Sequence, residues 1–147
     1  MQVNFLVICK TFRFNFCMTQ THLQISEKEI ENTILTWLRN KGVFAWKNQS
    51  VGVFNPRKNV FMKSHNPHHI NGVADILGVI DGKILAIEVK KPVYLKKTGW
   101  KKRSQEDLEK LASDDQVLFV NNVRSLGGIA FYADSLEIVK ENLKGVL

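Results

Sequence analysis

Asp75, Glu88 and Lys90 have residue types and spacing that could do chemistry together. They sit in two apolar runs, Val73-Ala-Asp-Ile-Leu-Gly-Val-Ile80 and Lys83-Ile-Leu-Ala-Ile-Glu-Val-Lys90, joined by Asp81-Gly82. Two such runs around Asp-Gly are the strongest short-range signal for a β-hairpin. With a two-residue turn Ile80 faces Lys83, and Asp75 then lies directly opposite Glu88. Opposed Cβ atoms are about 4.5–5.5 Å apart, a spacing at which like charges oppose folding. A cation between them would remove that cost, and paired carboxylates suit a hard divalent ion such as Mg²⁺ or Mn²⁺. Strand alternation puts Lys90 on the face of Glu88 and turns Leu85, Ile87 and Val89 to the other, buried face. An ammonium there would favour an attacking hydroxide and offset charge developing on a phosphate. Together these groups describe metal-dependent phosphodiester hydrolysis. The alternative is a surface salt bridge among the three, against which the apolar flanks of both acids weigh.

The elements that must position this hairpin are legible around it. Ser26-Glu27-Lys28-Glu29 is a capping box, and Ile25 and Ile30 stand where a hydrophobic staple would. Ile30, Ile34, Trp37 and Leu38 follow the spacing of one buried helical face, and Gly42 suits a left-handed cap, so a helix is expected over 27–41. Residues 43–47 and 51–54 read as short strands with a turn between them, and 55–71 as a polar loop or ragged hairpin. Residues 93–103 read as a basic loop after Pro92. Ser104 and Ser113 look like helix caps, the second with Gln116 three residues on. A helix over about 114–126 should end at Gly127-Gly128, followed by a strand over 129–133 and a terminal helix from Ser135.

The 147 residues suit one domain, and 44% apolar with 24% charged residues is an ordinary globular composition. Residues 1–24 carry no clear period and read as an N-terminal extension to a domain over 25–147. The apolar core Phe5-Leu6-Val7-Ile8 is too short for a signal peptide, and no run is long enough to span a membrane. The expectation is therefore a cytoplasmic protein with no membrane partner. Cys9 and Cys17 both lie in the extension, so cysteine chemistry does not organise the domain. The net charge is +7, and residues 83–103 alone hold eight basic residues against Glu88. A second stretch, between Glu31 and Asp75, contains no acid and six basic residues. Localised charge of this kind suits a polyanion, or else a solvated basic surface.

Asp75, twelve intervening residues and then Glu88-Val89-Lys90 resemble the metal-site pattern of the PD-(D/E)XK nucleases. Gly72-Val-Ala-Asp-Ile-Leu-Gly, Asp81-Gly82-Lys83, Ala86-Ile-Glu-Val-Lys-Lys-Pro92, Gln116 and Gly127-Gly-Ile-Ala-Phe131 closely resemble the VRR-NUC branch, virus-type replication and repair nucleases. The resemblance spans roughly residues 25–143. It implies an α/β fold with a restriction-endonuclease-like core, a mixed sheet flanked by helices in the order α-β-β-β-α-β. It implies that Asp75 and Glu88 ligate one or two Mg²⁺ or Mn²⁺ ions, with the Val89 backbone carbonyl as a further ligand. Lys90 would orient or activate the attacking water. A first-helix acid is also implied. Related archaeal junction resolvases place it eleven residues before the Gly that ends the helix, which is Glu31 here, with Glu27 and Glu29 competing. Gln116 matches a family Gln near the metal or scissile phosphate, although its spacing from Ser113 equally describes a plain cap.

The resemblance further implies DNA as partner, branched or four-way (Holliday) junctions as substrates, a homodimer, and a bacterial or phage-infected host cell. Lys91, Lys96, Lys97, Lys101, Lys102 and Arg103 are the expected DNA-binding residues, with Trp100 either stacking on a base or anchoring the loop. His65, His68 and His69 have no Cys or helical HExxH partner, so backbone contact with DNA or exposure is expected rather than zinc. The chain departs from the family at Ala74, where a Pro is usual, and in the long basic loop between Lys90 and Gln116. The other reading is a nucleic-acid-binding module, or an inactive subunit of a repair complex.

Overall fold

A computed structural model of the chain describes residues 25–49, 53–62, 67–95 and 99–147. The extension over 1–24 and residues His65, Lys96 and Lys97 lie outside the described residues. Helix α1 (Glu27–Asn40) begins as the capping box requires, with the Ser26 hydroxyl accepting from the Glu29 N–H and the Glu29 carboxylate accepting from the Ser26 N–H at 2.7 Å. It stops one residue short of expectation, at a Lys41 cap followed by Gly42 at φ 79°. Ile30, Ile34, Leu35 and Leu38 are buried along one face, and Glu31 is buried with them.

Four strands form the principal sheet in the order β1 (Phe44–Lys47), β4 (Ile76–Ile80), β5 (Lys83–Val89) and β8 (Ile129–Ala133). The first two pairings are antiparallel and β5–β8 is parallel, so the sheet is mixed, and helices flank it. Strands β4 and β5 pair Ile80 with Lys83 and Ile76 with Ile87 across the Asp81-Gly82 turn, both of whose residues have positive φ. Continued one step, this register sets Asp75 against Glu88.

Several expectations need correction. The second short strand belongs to the ragged hairpin that follows it. Strands β2 (Val53–Asn55) and β3 (Val60–Met62) close this separate hairpin, while β1 pairs with β4 and buries Ala45 in the core. The basic loop contains a small ribbon of β6 (Tyr94–Leu95) and β7 (Gly99–Trp100), followed by a short helix α2 (Gln105–Glu109) capped by Ser104. Burial on β5 does not alternate, since every residue from Leu85 to Val89 is buried. The reason is a second covering layer. Helix α3 (Asp114–Ser125) supplies Gln116 to Glu88, while α1 also packs against β5 and supplies Glu31 to Lys47 of β1. The terminal helix α4 (Leu136–Asn142) packs against α1 and β8.

The outer edge of β8 is closed by side chains rather than by another strand. Gln105 donates to the Tyr132 carbonyl at 2.8 Å and accepts from the Tyr132 N–H at 2.9 Å, and Arg124 Nε donates to the Ala130 carbonyl at 2.7 Å. Those are the ladder groups that an exposed edge would leave open to another chain. Among the described residues no helix is long and apolar enough to cross a membrane.

Candidate active site

The chemistry-bearing residues meet at the end of β5. Asp75 precedes β4, its carbonyl accepting from the Asn48 N–H at 2.7 Å and its Oδ2 from the Val89 N–H at 2.9 Å. Glu88 stands across from it, only 2% exposed. Its Oε1 accepts from Lys90 Nζ at 2.9 Å and also from Gln116 Nε2. Its Oε2 is buried with no hydrogen-bond partner among the described residues. Lys90 is buried as well, and its ammonium donates to Gln116 Oε1 at 2.9 Å.

Electrostatics follow from this packing. Burial, reinforced by the neighbouring Asp75 charge, pushes the Glu88 carboxyl from its ordinary 4.5 up to about 7, against the pull of Lys90. Burial also raises Asp75, opposed by the Val89 N–H and assisted by Glu31.

Gln116 is a cap that also reaches the acidic cluster. It completes the Ser113 capping box, accepting from the Ser113 N–H at 3.0 Å, and it touches both Glu88 and Lys90. The start of α3 is held close by Gly72, which has φ 68°, and a Cβ there would lie 2.2 Å from the Asp115 carbonyl carbon. No side chain fits at that contact.

The first-helix acids divide in a way that helical phase alone does not decide. Glu27 and Glu31 are four residues apart on one face of α1, and both act electrostatically on Asp75. Glu31 is buried and held by the Lys47 ammonium. Glu27 is exposed and accepts from the Lys91 N–H at 2.9 Å, which fastens α1 to the chain leaving the site. Nothing local to Lys47 marks it for this role, because its position beside the acids depends on β1 pairing with β4.

The expected DNA-facing residues separate. Lys91 and Lys101 have exposed side chains, and Lys102 pairs with Glu141 at 2.6 Å at the surface. Arg103 corrects the expectation. It is buried, with Nε donating to Asp134 at 2.8 Å and its guanidinium reaching the Lys91 carbonyl. A desolvated guanidinium so engaged braces the loop after β5 against the end of β8, and it is not offered to a phosphate. His68 and His69 lie at the surface.

Among the described residues no group of three or more His, Cys, Asp or Glu side chains is gathered to hold a metal. Two carboxylates nevertheless suffice for Mg²⁺, which typically takes one or two and fills its remaining positions with water and substrate phosphate. The unpartnered Glu88 Oε2 is an acceptor that burial leaves costly unless a cation or donor meets it. The donor set at Asp75 and Glu88 therefore fits a hard divalent ion. In comparison with known proteins, no family model matches this chain and no curated protein matches it.

Proposed function

We propose that this chain is a divalent-metal-dependent DNA endonuclease with a restriction-endonuclease-like core, hydrolysing phosphodiester bonds at Asp75, Glu88 and Lys90. The observation that carries the reading is a pair of mutually repelling carboxylates, half-buried Asp75 and buried Glu88, the latter with an unpartnered oxygen, beside a buried lysine. The sequence resemblance to VRR-NUC nucleases supports the same residues in the same roles. Asp75 and Glu88, with the Val89 carbonyl, would hold Mg²⁺ or Mn²⁺, and Glu31 would join them if Lys47 released it. The bound ion would supply positive charge to the scissile phosphate and to the oxygen that attacks it.

The remaining steps belong to side chains. Lys90 Nζ is held by Glu88 and Gln116 and can donate toward an attacking water or a phosphate oxygen. Gln116, anchored at the start of α3, fixes both partners and limits their rotamers. Branched or four-way junction DNA is the proposed substrate, in replication, repair or recombination, with a homodimer presenting two sites. A second reading, a catalytically inactive nucleic-acid-binding module, draws on one observation. Glu31 and Glu88 are each already held by a lysine.

Labelled four-way junction, flap and linear duplex DNA, incubated with Mg²⁺, Mn²⁺ or EDTA, separate the two. Metal-dependent cutting that Glu88→Ala abolishes is the expected result. Binding to branched DNA without cutting under any metal would sink the nuclease.

A further inference from the structure

The β2–β3 hairpin takes no part in the site described above, yet it is built like a recognition element. Phe54 and Phe61 are directly paired in its register, their ring centroids 5.2 Å apart. The rings are 47% and 69% exposed, and Val60 beside them is 48% exposed. Two-stranded ribbons are marginal on their own, so two bare phenyl rings there favour a partner.

The tip is preorganised. Pro56 fixes one turn dihedral, and Asn55 Oδ1 accepts from the Arg57 N–H at 3.0 Å and the Lys58 N–H at 3.3 Å. Asn59 takes the left-handed conformation at φ 50°. Arg57 and Lys58 are thereby presented together at the exposed tip. They lie in the stretch between Glu31 and Asp75 that has no acid at all, so the charge is complementary to a polyanion.

Placement singles out which polyanion. The ribbon is inserted between β1 and β4, and the Asn48 N–H that follows β1 donates to the Asp75 carbonyl. Phe54 is six residues beyond Asn48, a span of at most about 20 Å of extended chain. That is about six base-pair steps of duplex DNA. Stacking rings with a basic tip, tethered this close to the carboxylates, match nucleic acid whose bases are unpaired.

We infer that the β2–β3 ribbon engages unpaired bases at a branch point beside the cut, Phe54 and Phe61 stacking on them while Arg57 and Lys58 hold flanking phosphates. This rests on the nuclease reading for the position of the cut, and it adds what the enzyme recognises.

The test uses the full chain in EDTA, so that nothing is cut, with a forked DNA carrying 2-aminopurine at the branch and a matched linear duplex. Wild type is expected to bind the fork more tightly than the duplex and to raise the 2-aminopurine fluorescence as bases unstack. Phe54→Ala with Phe61→Ala should weaken fork binding at least about thirtyfold, leave duplex binding unchanged and remove the fluorescence rise. Phe61→Tyr, which keeps a stacking ring, should retain both. Arg57→Ala with Lys58→Ala should weaken fork and duplex alike and reduce the salt slope by about two. Unchanged fork affinity and fluorescence in the Phe double variant would overturn the inference. So would wild-type binding to anionic vesicles but not to the fork. Adding Mg²⁺ afterwards isolates the underlying reading. Fork binding with ring-dependent unstacking but no cutting leaves the ribbon standing and removes the nuclease, whereas cutting indifferent to the rings does the reverse.

Discussion

Two sets of charged side chains, each built around buried members, gather at the ends of β5 and β8. In one, Arg103 Nε meets Asp134 at 2.8 Å and the rest of the guanidinium reaches the Lys91 carbonyl, so a single cation answers a single anion. In the other, Asp75 and Glu88 face each other with Lys90 between Glu88 and Gln116, and one carboxylate oxygen has nothing to bind. The first set is closed, and its charges are used up within the fold. The second carries more negative charge than its lysine neutralises and keeps an acceptor open. A buried pair that only stabilises has no use for a spare acceptor, and the proposed site rests on that difference.

Substitutions that strike one cluster at a time should break this comparison cleanly. Asp75→Asn and Glu88→Ala are expected to lower cleavage at least about 1,000-fold. Binding to DNA in EDTA should survive in both. Cleavage within a few-fold of wild type in either variant would remove the site. Asp134→Ala should do the opposite, costing about 3–5 kcal/mol of stability because Arg103 is left buried and unpaired. Urea denaturation reads that loss directly, and a change under about 1 kcal/mol would mean the pair is not structural.

The acidic cluster should also answer to pH. Glu88 is held at about 7 by burial and by Asp75, above its ordinary 4.5. Between those values the folded state keeps a proton that the unfolded state has lost. Stability without metal therefore falls as pH rises through this window, by about 3 kcal/mol for Glu88 alone. Asp75, shifted the same way, adds to the fall. Glu88→Gln should flatten the slope between pH 5 and 8, and Mg²⁺ should restore stability above pH 7, since it binds the ionised carboxylates. A slope unchanged by Glu88→Gln would place the titration elsewhere.

The parts of this arrangement that could be read from sequence are the ones set by neighbouring residues. Asp81-Gly82 fixes a two-residue turn, the turn fixes the register, and the register brings Asp75 to Glu88. The capping boxes at Ser26 and Ser113 are likewise local, and both are present. What escaped depends on distant partners. Strand β1 pairs with β4 across an intervening hairpin, and nothing in residues 43–47 names that partner. Lys47 reaches Glu31 only as a result. Arg103 has the charge of a DNA contact, but Asp134, 31 residues later, buries it. Residue type supplied its affinity for anions, and the tertiary fold chose which anion.

Gln116 sharpens the comparison because it belongs to both kinds of structure. Its capping role predicts that Gln116→Ala costs about 1 kcal/mol. Its contacts with Glu88 and Lys90 predict a further loss of rate. Gln116→Glu separates the two, since Glu serves equally in a capping box but sets another anion against Glu88. The expected result is impaired cleavage with a stability loss that grows as Glu88 ionises, while the capping box itself is kept. Equal stability and equal rate would make Gln116 a cap and nothing more.

The smallest effect is expected at the surface, where Lys101 and Lys102 differ by a single contact. Lys102 is already paired with Glu141 at 2.6 Å, although both side chains are well exposed. A phosphate must compete with that carboxylate for Lys102, and among the described residues no ion pair holds Lys101. Lys101→Ala should therefore reduce the salt slope of DNA binding by close to one contact, about 0.9, and Lys102→Ala by less. Glu141→Gln should narrow the difference between them by freeing Lys102. Arg103→Lys should leave the salt slope alone and appear only as lost stability, because an ammonium cannot reproduce the fork that joins Asp134 to the Lys91 carbonyl. A salt slope that drops with Arg103→Lys as far as with Lys101→Ala would show that the buried guanidinium reaches DNA after all.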